Sequence, residues 1–123
     1  MAKKKLLIIE DDNFLAGLYT TKFELEGYEV IACDDGEKGL KTAKEKMPDV
    51  ILLDILLPSK DGFEVLKELK REAGTKKIPV ILLTNLSQKN DIQKGLDLGA
   101  VDYLIKSEFM PSEVIIKVNK YSK

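Results

Sequence analysis

Five short apolar runs punctuate the chain, at Leu6–Ile9, Val30–Cys33, Val50–Leu53, Val80–Leu83 and Tyr103–Ile105. Each is rich in Val, Ile and Leu and almost free of polar interruption, the pattern of strands buried on both faces. The segments between them carry apolar residues at helical spacing. Phe14, Leu15, Leu18 and Tyr19 share one face, and Leu40, Ala43 and Met47 another. Phe63, Leu66 and Leu69, then Ile92 and Leu96, then Val114, Ile115 and Val118 continue the series. Charged residues fill the positions between, so each stripe predicts a helix with one face laid against a sheet.

Local signals agree with these elements. Asp12 or Asn13 suits the N-cap of the first helix. Asp61 with Glu64 reads as a capping box before the third, Ser87 as an N-cap for the fourth, and Pro111 as a first-turn residue of the fifth. Gly27, Gly74 and Gly99 fall where helices should end. Five strands alternating with five helices make a (βα)5 pattern: an α/β fold with a five-stranded parallel sheet and helices on both faces. It fits a single domain over residues 1–123, with no output domain expected in this chain. In open parallel sheets, ligands bind beyond the carboxyl ends of the strands, where strand order reverses. The residues directly after each run are therefore where chemistry is expected.

Composition narrows that chemistry by exclusion. Lys and Arg number 20 against 21 Asp and Glu, a net charge of −1. Direct nucleic-acid binding or attachment to an anionic membrane would call for a basic excess. The longest apolar runs, about six residues, fall far short of a membrane span, and the opening MAKKKLLIIEDD lacks the apolar stretch of a secretory signal. Cys33 is the single cysteine and has no internal disulfide partner, which suits a reducing, cytoplasmic compartment. There is no histidine. Histidine-based triads, histidine metal sites and imidazole bases are all excluded by that zero.

The strand ends supply what remains. Glu10, Asp11 and Asp12 follow the first run, Asp54 the third, Thr84 the fourth and Lys106 the fifth. Helix capping accounts for Asp12, but not for Glu10, Asp11 or Asp54, which lies seven residues before Asp61. Carboxylates converging without a cation repel one another and raise their pKa values. A hard divalent ion relieves that repulsion, and a site of a few carboxylates plus water is what Mg²⁺ prefers, with Mn²⁺ as a plausible substitute. A carboxylate nucleophile, a hydroxyl, an ammonium and Mg²⁺ together suit a phosphoryl group.

Across essentially its whole length the sequence resembles the receiver domains of bacterial two-component response regulators, chemotaxis-regulator-like proteins of flavodoxin-like fold. The segments LLIIEDD, DVILLDILLPSKDGFEVL, IPVILLTNLS and LGAVDYLIKS stand in family order, with intervals of 43, 30 and 22 residues between Asp11, Asp54, Thr84 and Lys106. The resemblance implies strand order 2-1-3-4-5. It also implies that Asp54 is the phosphoacceptor, and that Mg²⁺ is held by Asp11, by Asp54, by Glu10 through water and by the Leu56 backbone carbonyl. Thr84 and Lys106 would bind phosphoryl oxygens, and Tyr103 would be the aromatic switch residue. Pro58 and Gly62 match the turn after the phosphoacceptor. The donor would be a histidine kinase or a histidine phosphotransfer protein. The response would be read by a downstream protein on the face of the fourth helix, fifth strand and fifth helix. The domain would accept a phosphoryl group and slowly lose it without being an enzyme in the turnover sense.

One position departs from the family pattern. Ser107 follows Lys106 where proline with a cis bond is usual, and a trans bond is expected because cis costs a non-proline residue about 3–4 kcal/mol. In the family, the positions two residues after the phosphoacceptor and two after the threonine flank the path of the hydrolytic water, and the resemblance puts Leu56 and Leu86 there, which would offer that water no hydrogen bond. Two other protein classes compete with the receiver resemblance. A haloacid-dehalogenase-like phosphatase needs an acid where Leu56 stands. A pseudo-receiver, an interaction module without phosphorylation, would not need the full set of site residues.

Overall fold

The computed structural model describes residues 3–122. Met1, Ala2 and Lys123, on which the readings of the two chain ends partly rest, lie outside the described residues. Strands β1 (Lys5–Ile9), β2 (Glu29–Cys33), β3 (Val50–Leu53), β4 (Val80–Thr84) and β5 (Asp102–Ile105) alternate with helices α1 (Asn13–Leu25), α2 (Gly36–Lys46), α3 (Gly62–Arg71), α4 (Lys89–Asp97) and α5 (Pro111–Tyr121). The strands form one parallel sheet in the order β2-β1-β3-β4-β5, as the resemblance implied.

Alternate residues of the central strands feed two cores, one on each face. Leu7, Ile9, Ile51, Leu53 and Leu82 pack with Leu40 and Ala43 of α2 and Val65, Leu66 and Leu69 of α3. Leu6, Ile8, Leu52, Ile81 and Leu104 pack on the other side with Tyr19 and Phe23 of α1 and Val114 and Val118 of α5. Double-sided burial holds for β1, β3 and β4 but not for the edge strands β2 and β5, which are partly open. An edge strand is covered by fewer helices, and its apolar run is the same length, so the run alone does not reveal the difference.

Several local expectations need correction. Phe14 is 82% exposed, and α1 buries Ala16, Tyr19 and Phe23 instead. Met47 is the α2 C-cap in a left-handed conformation, exposed to solvent. Leu96 is also exposed, because α4 lies flush on the sheet through Gly95. Ser87 does not cap α4. Gln88 occupies the N-cap without a side-chain bond, and the chain through Leu86 is drawn toward Tyr103, whose hydroxyl takes the Leu86 carbonyl. Gly74 is not the end of α3, which stops at Arg71. The carbonyl of Leu69 is satisfied by the buried Thr75 hydroxyl, and the Lys70 ammonium caps the carbonyls of Lys76 and Ile78. Asp61 caps α3 through the Glu64 amide, while Gly27 and Gly99 end helices at positive φ as read. The described residues contain no cis peptide bond, so Lys106–Ser107 is trans.

Gly62 fixes the start of α3 against the end of β3. A Cβ there would lie 2.2 Å from the Asp54 carbonyl oxygen and 2.6 Å from the Ile55 Cα. Both neighbours are backbone, so Gly62→Ala is expected to destabilise the domain by about 1–3 kcal/mol. Gly17, inside α1, has nothing within 4 Å of its would-be Cβ. There the gain in helix propensity dominates, and Gly17→Ala is expected to stabilise by about 0.5–1 kcal/mol. Urea midpoints at unchanged m-value test the pair, and equal effects of one sign would contradict this packing.

Candidate functional site

Parallel register carries one polar residue after another to the same sheet edge. Ile9 lies beside Leu53 and Cys33, and Thr84 beside Ile105. The next residues along, Glu10, Asp54 and Lys106, therefore emerge together. Glu10 and Asp54 are buried, at 4% and 5% exposure, and Thr84 is fully buried. The Lys106 ammonium bridges the two carboxylates, 2.6 Å from Glu10 Oε1 and 2.7 Å from Asp54 Oδ2.

Each remaining carboxylate oxygen has a backbone donor. Asp54 Oδ1 accepts from the amides of Ile55 (2.6 Å) and Leu56 (3.3 Å), while Glu10 Oε2 accepts from the Asp12 amide at 3.0 Å. Asp12 itself caps α1 through the Leu15 amide, which separates its role from those of Glu10 and Asp11. Burial pushes the Glu10 carboxyl above its ordinary pKa, and the Lys106 and Asp12 hydrogen bonds offset only part of that push. Burial also pulls the Lys106 ammonium down, but its bonds to Asp54 and Glu10 outweigh it and leave the pKa raised.

The acidic pocket fits a divalent cation. Carboxylate oxygens of Glu10, Asp11 and Asp54 lie within 4.8 Å of one another, Asp11 on the exposed side and the other two buried. The all-oxygen, part-hydrated character of such a set matches the preference of Mg²⁺. Thr84 Oγ1 accepts from the Leu86 amide at 3.4 Å, and the Tyr103 hydroxyl donates to the Leu86 carbonyl at 2.7 Å. Burial first, then the charges of Asp91 and Asp54, push the Tyr103 phenol up to about 12, so it remains a donor at neutral pH. Leu56 is 55% exposed, whereas Leu86 is half-buried against the α2–α3 core.

The structure thus brings Glu10, Asp11, Asp54 and Lys106 together and sets Thr84, Leu86 and Tyr103 in one connected group beside them. The direct Glu10–Lys106 pair is not foreseen from the sequence, which assigns Glu10 a role toward the ion mainly through water. Nor are the two backbone amides on Asp54, for which no side chain leaves a signal.

The family model of the response regulator receiver domain matches residues 6–119. The chain belongs to that family. This receiver domain is 42% identical over 114 residues to the DNA-binding dual master transcriptional regulator RpaA of Synechocystis, covering 93% of this chain and 47% of that protein. It is similar to the solved receiver domain of Francisella response regulator 1452, with TM-score 0.90, 34% identity and coverage of 98% and 97% of the two chains. It is also similar to the receiver domain of the sensor histidine kinase PA1611 of Pseudomonas aeruginosa, with TM-score 0.88, 26% identity and 98% of each chain covered. That domain was crystallised with a magnesium ion coordinated in its active-site cleft. The chain spans about half the length of the curated relatives it matches.

Removing the bridging ammonium should expose the repulsion it masks. Lys106→Ala leaves Glu10 and Asp54 buried and unpaired, with an expected loss of about 3 kcal/mol at neutral pH in chelator. Glu10 sets the sign of the pH dependence. Its folded pKa lies above the unfolded value, so folding favours the protonated form and stability falls as pH rises through the folded pKa. The loss in Lys106→Ala should therefore shrink on acidification toward about pH 5 and be largest near about pH 8. Thermal midpoints measured in chelator at both values check this, and a deficit that grows on acidification would contradict it.

Proposed function

We propose that this receiver domain is the phosphoacceptor of a two-component relay, taking a phosphoryl group on Asp54 from a histidine kinase or a histidine phosphotransfer protein. The observation that carries the reading is the Asp54 carboxylate, buried at the sheet edge and 2.7 Å from the Lys106 ammonium beside a pocket of two further acids. An Asp54 oxygen attacks the phosphorus of the donor phosphohistidine. The P–N bond breaks as the O–P bond forms, and the imidazole leaves with the electron pair and is protonated from solvent. Asp11, Asp54, Glu10 and the Leu56 carbonyl would hold Mg²⁺, which when bound supplies charge neutralisation for the phosphoryl oxygens. Lys106 moves from a carboxylate to a phosphoryl oxygen and supplies a second positive charge.

The aspartyl phosphate brings about −2 charge and new acceptor oxygens. Thr84, freed of its weak 3.4 Å bond from the Leu86 amide, donates to one of them. Tyr103 sits one bond away on the Leu86 carbonyl, so the change reaches α4, β5 and α5, the face offered to a downstream protein. Moving such a switch from mostly off to mostly on needs about 5.5 kcal/mol. Two or three charge-assisted hydrogen bonds at about 1.5–3 kcal/mol each supply that amount.

The domain works in the cytoplasm, as a stoichiometric acceptor that slowly dephosphorylates itself and not as a turnover enzyme. No helix among the described residues is long and apolar enough to cross a membrane. Its net charge of −1 supports a protein partner over direct contact with nucleic acid.

Incubation with a small phosphodonor in excess Mg²⁺, followed by intact-mass and peptide analysis, should place one phosphoryl group on Asp54. Asp54→Ala should take up none while staying folded, because Lys106 keeps Glu10 as a partner. A wild-type domain that gains no mass would instead be a pseudo-receiver.

The lifetime of the phosphoryl group follows from Leu56 and Leu86. Neither side chain can orient a water in line with the phosphorus. Restoring polar groups with Leu56→Asn and Leu86→Glu should speed phosphate loss about 10- to 100-fold. Decay of the purified, loaded domain in excess Mg²⁺ measures it, and an unchanged rate in the double variant would remove the leucines from the mechanism.

A further inference from the structure

The loop joining β3 to α3 is held from an element that the phosphoryl chemistry does not use. Because the amides of Ile55 and Leu56 grip Asp54 Oδ1, the carboxylate follows the backbone path of this loop. One end of the loop is closed by the Gly62 amide on the Ile55 carbonyl at 2.8 Å. Its middle is tied to the first turn of α2 by three bonds. The Gly36 amide donates to the Pro58 carbonyl (3.2 Å), the Glu37 amide donates to Ser59 Oγ (3.3 Å), and Ser59 Oγ donates to Asp35 Oδ1 (3.2 Å). The same Asp35 oxygen accepts from the Lys38 amide at 2.8 Å, so one atom both caps α2 and anchors the loop. The approach is so close that a Cβ on Gly36 would fall 1.7 Å from the Lys60 carbonyl oxygen. Ser59 meanwhile sits at φ 64, a left-handed conformation that L-residues rarely adopt.

We infer that Asp35 and Ser59 are positioning residues for the cation site. Through them the first turn of α2 holds, before any ion arrives, the backbone that carries the Leu56 carbonyl and orients Asp54. This rests on the proposed role of Asp54 and its neighbours, and it adds two residues more than twenty positions apart that touch neither ion nor phosphoryl group. The physical basis is preorganisation: a ligand set already in place loses less freedom when the ion binds.

Mg²⁺ affinity of the unphosphorylated chain, followed by amide chemical-shift titration, tests it. Ser59→Ala and Asp35→Ala should each weaken Mg²⁺ binding about tenfold, the lower end of what residues supporting metal ligands contribute. They should also speed amide hydrogen exchange at Ile55 and Leu56. Asp35→Asn keeps an acceptor oxygen for both the cap and the serine, and should bind near the wild-type level. Ser59→Gly accepts φ 64 freely yet lacks the hydroxyl, and should be as weak as Ser59→Ala. Val118→Ala, in the core on the opposite face of the sheet, should lower the thermal midpoint without changing Mg²⁺ affinity. Wild-type affinity in Ser59→Ala would overturn the inference, as would an equal weakening in Val118→Ala. A wild-type chain that binds no Mg²⁺ would overturn the proposed function first, and this inference with it.

Discussion

The Lys106 ammonium between Glu10 and Asp54 is the interaction on which the rest of the site depends. Two carboxylates at 4% and 5% exposure would each lose several kcal/mol of hydration if left unpaired, and would repel one another as well. One cation bonded to both allows them to share a dry strand end. The cation comes from the residue directly after β5, an edge strand, and reaches back past β4 to partners directly after β3 and β1. A single side chain thereby ties three strand ends together, and its reach depends on the backbone at the end of β5 being where it is. The 3-10 turn Lys106–Glu108 follows at once and sets the direction of that backbone.

Burial on both faces is what makes the strand ends so well defined. Leu7, Ile9, Ile51 and Leu53 point to one core and Leu6, Ile8 and Leu52 to the other. A slip of one residue in register would exchange the two sets, so the register is strongly specified. The polar residue after each strand inherits that precision. Placement of Glu10 and Asp54 therefore comes mainly from apolar packing, and the fine orientation of their carboxylates from backbone amides in the loops beyond.

The same division decides what could be read from the sequence. The strands, their order of occurrence, and the convergence of Glu10, Asp11, Asp54, Thr84 and Lys106 were legible, because hydrophobic period and residue type at strand ends carry that information directly. Helix faces were legible only where packing follows the stripe. Phe14 lies on a helical stripe with Tyr19, but only Tyr19 faces the sheet, since the helix axis direction is not written in the spacing. Gly95 replaced Leu96 as the contact of α4 because the helix approaches too closely for a larger side chain, and closeness of approach leaves no periodic mark. The Glu10–Lys106 pair, and the contacts of Asp35 with Ser59 across the fold, depend on distances between loops. The spacing of residues along the chain does not encode those distances.

Under the proposed function, the direction in which a signal would travel follows from how unevenly the helices are anchored. Lys106 occupies one oxygen of Asp54 and one of Glu10, so an arriving phosphoryl group must draw the ammonium toward itself and away from those partners. Thr84, at the end of the neighbouring strand, accepts from the Leu86 amide at 3.4 Å, and Leu86 in turn carries the Tyr103 hydroxyl on its carbonyl. Beyond Tyr103 lies α4. Its N-cap, Gln88, makes no side-chain capping bond, and its one buried position is a glycine. Lys94 over the Phe63 ring, 4.4 Å from the centroid, links it to α3. By contrast α3 buries Val65, Leu66 and Leu69, and α5 buries Val114 and Val118. Elements with few buried apolar contacts open at the lowest free-energy cost. A disturbance of a few kcal/mol at Asp54 would therefore be taken up by α4 before it could disturb its neighbours, because α4 adjoins the Thr84–Leu86–Tyr103 chain and is held by the least.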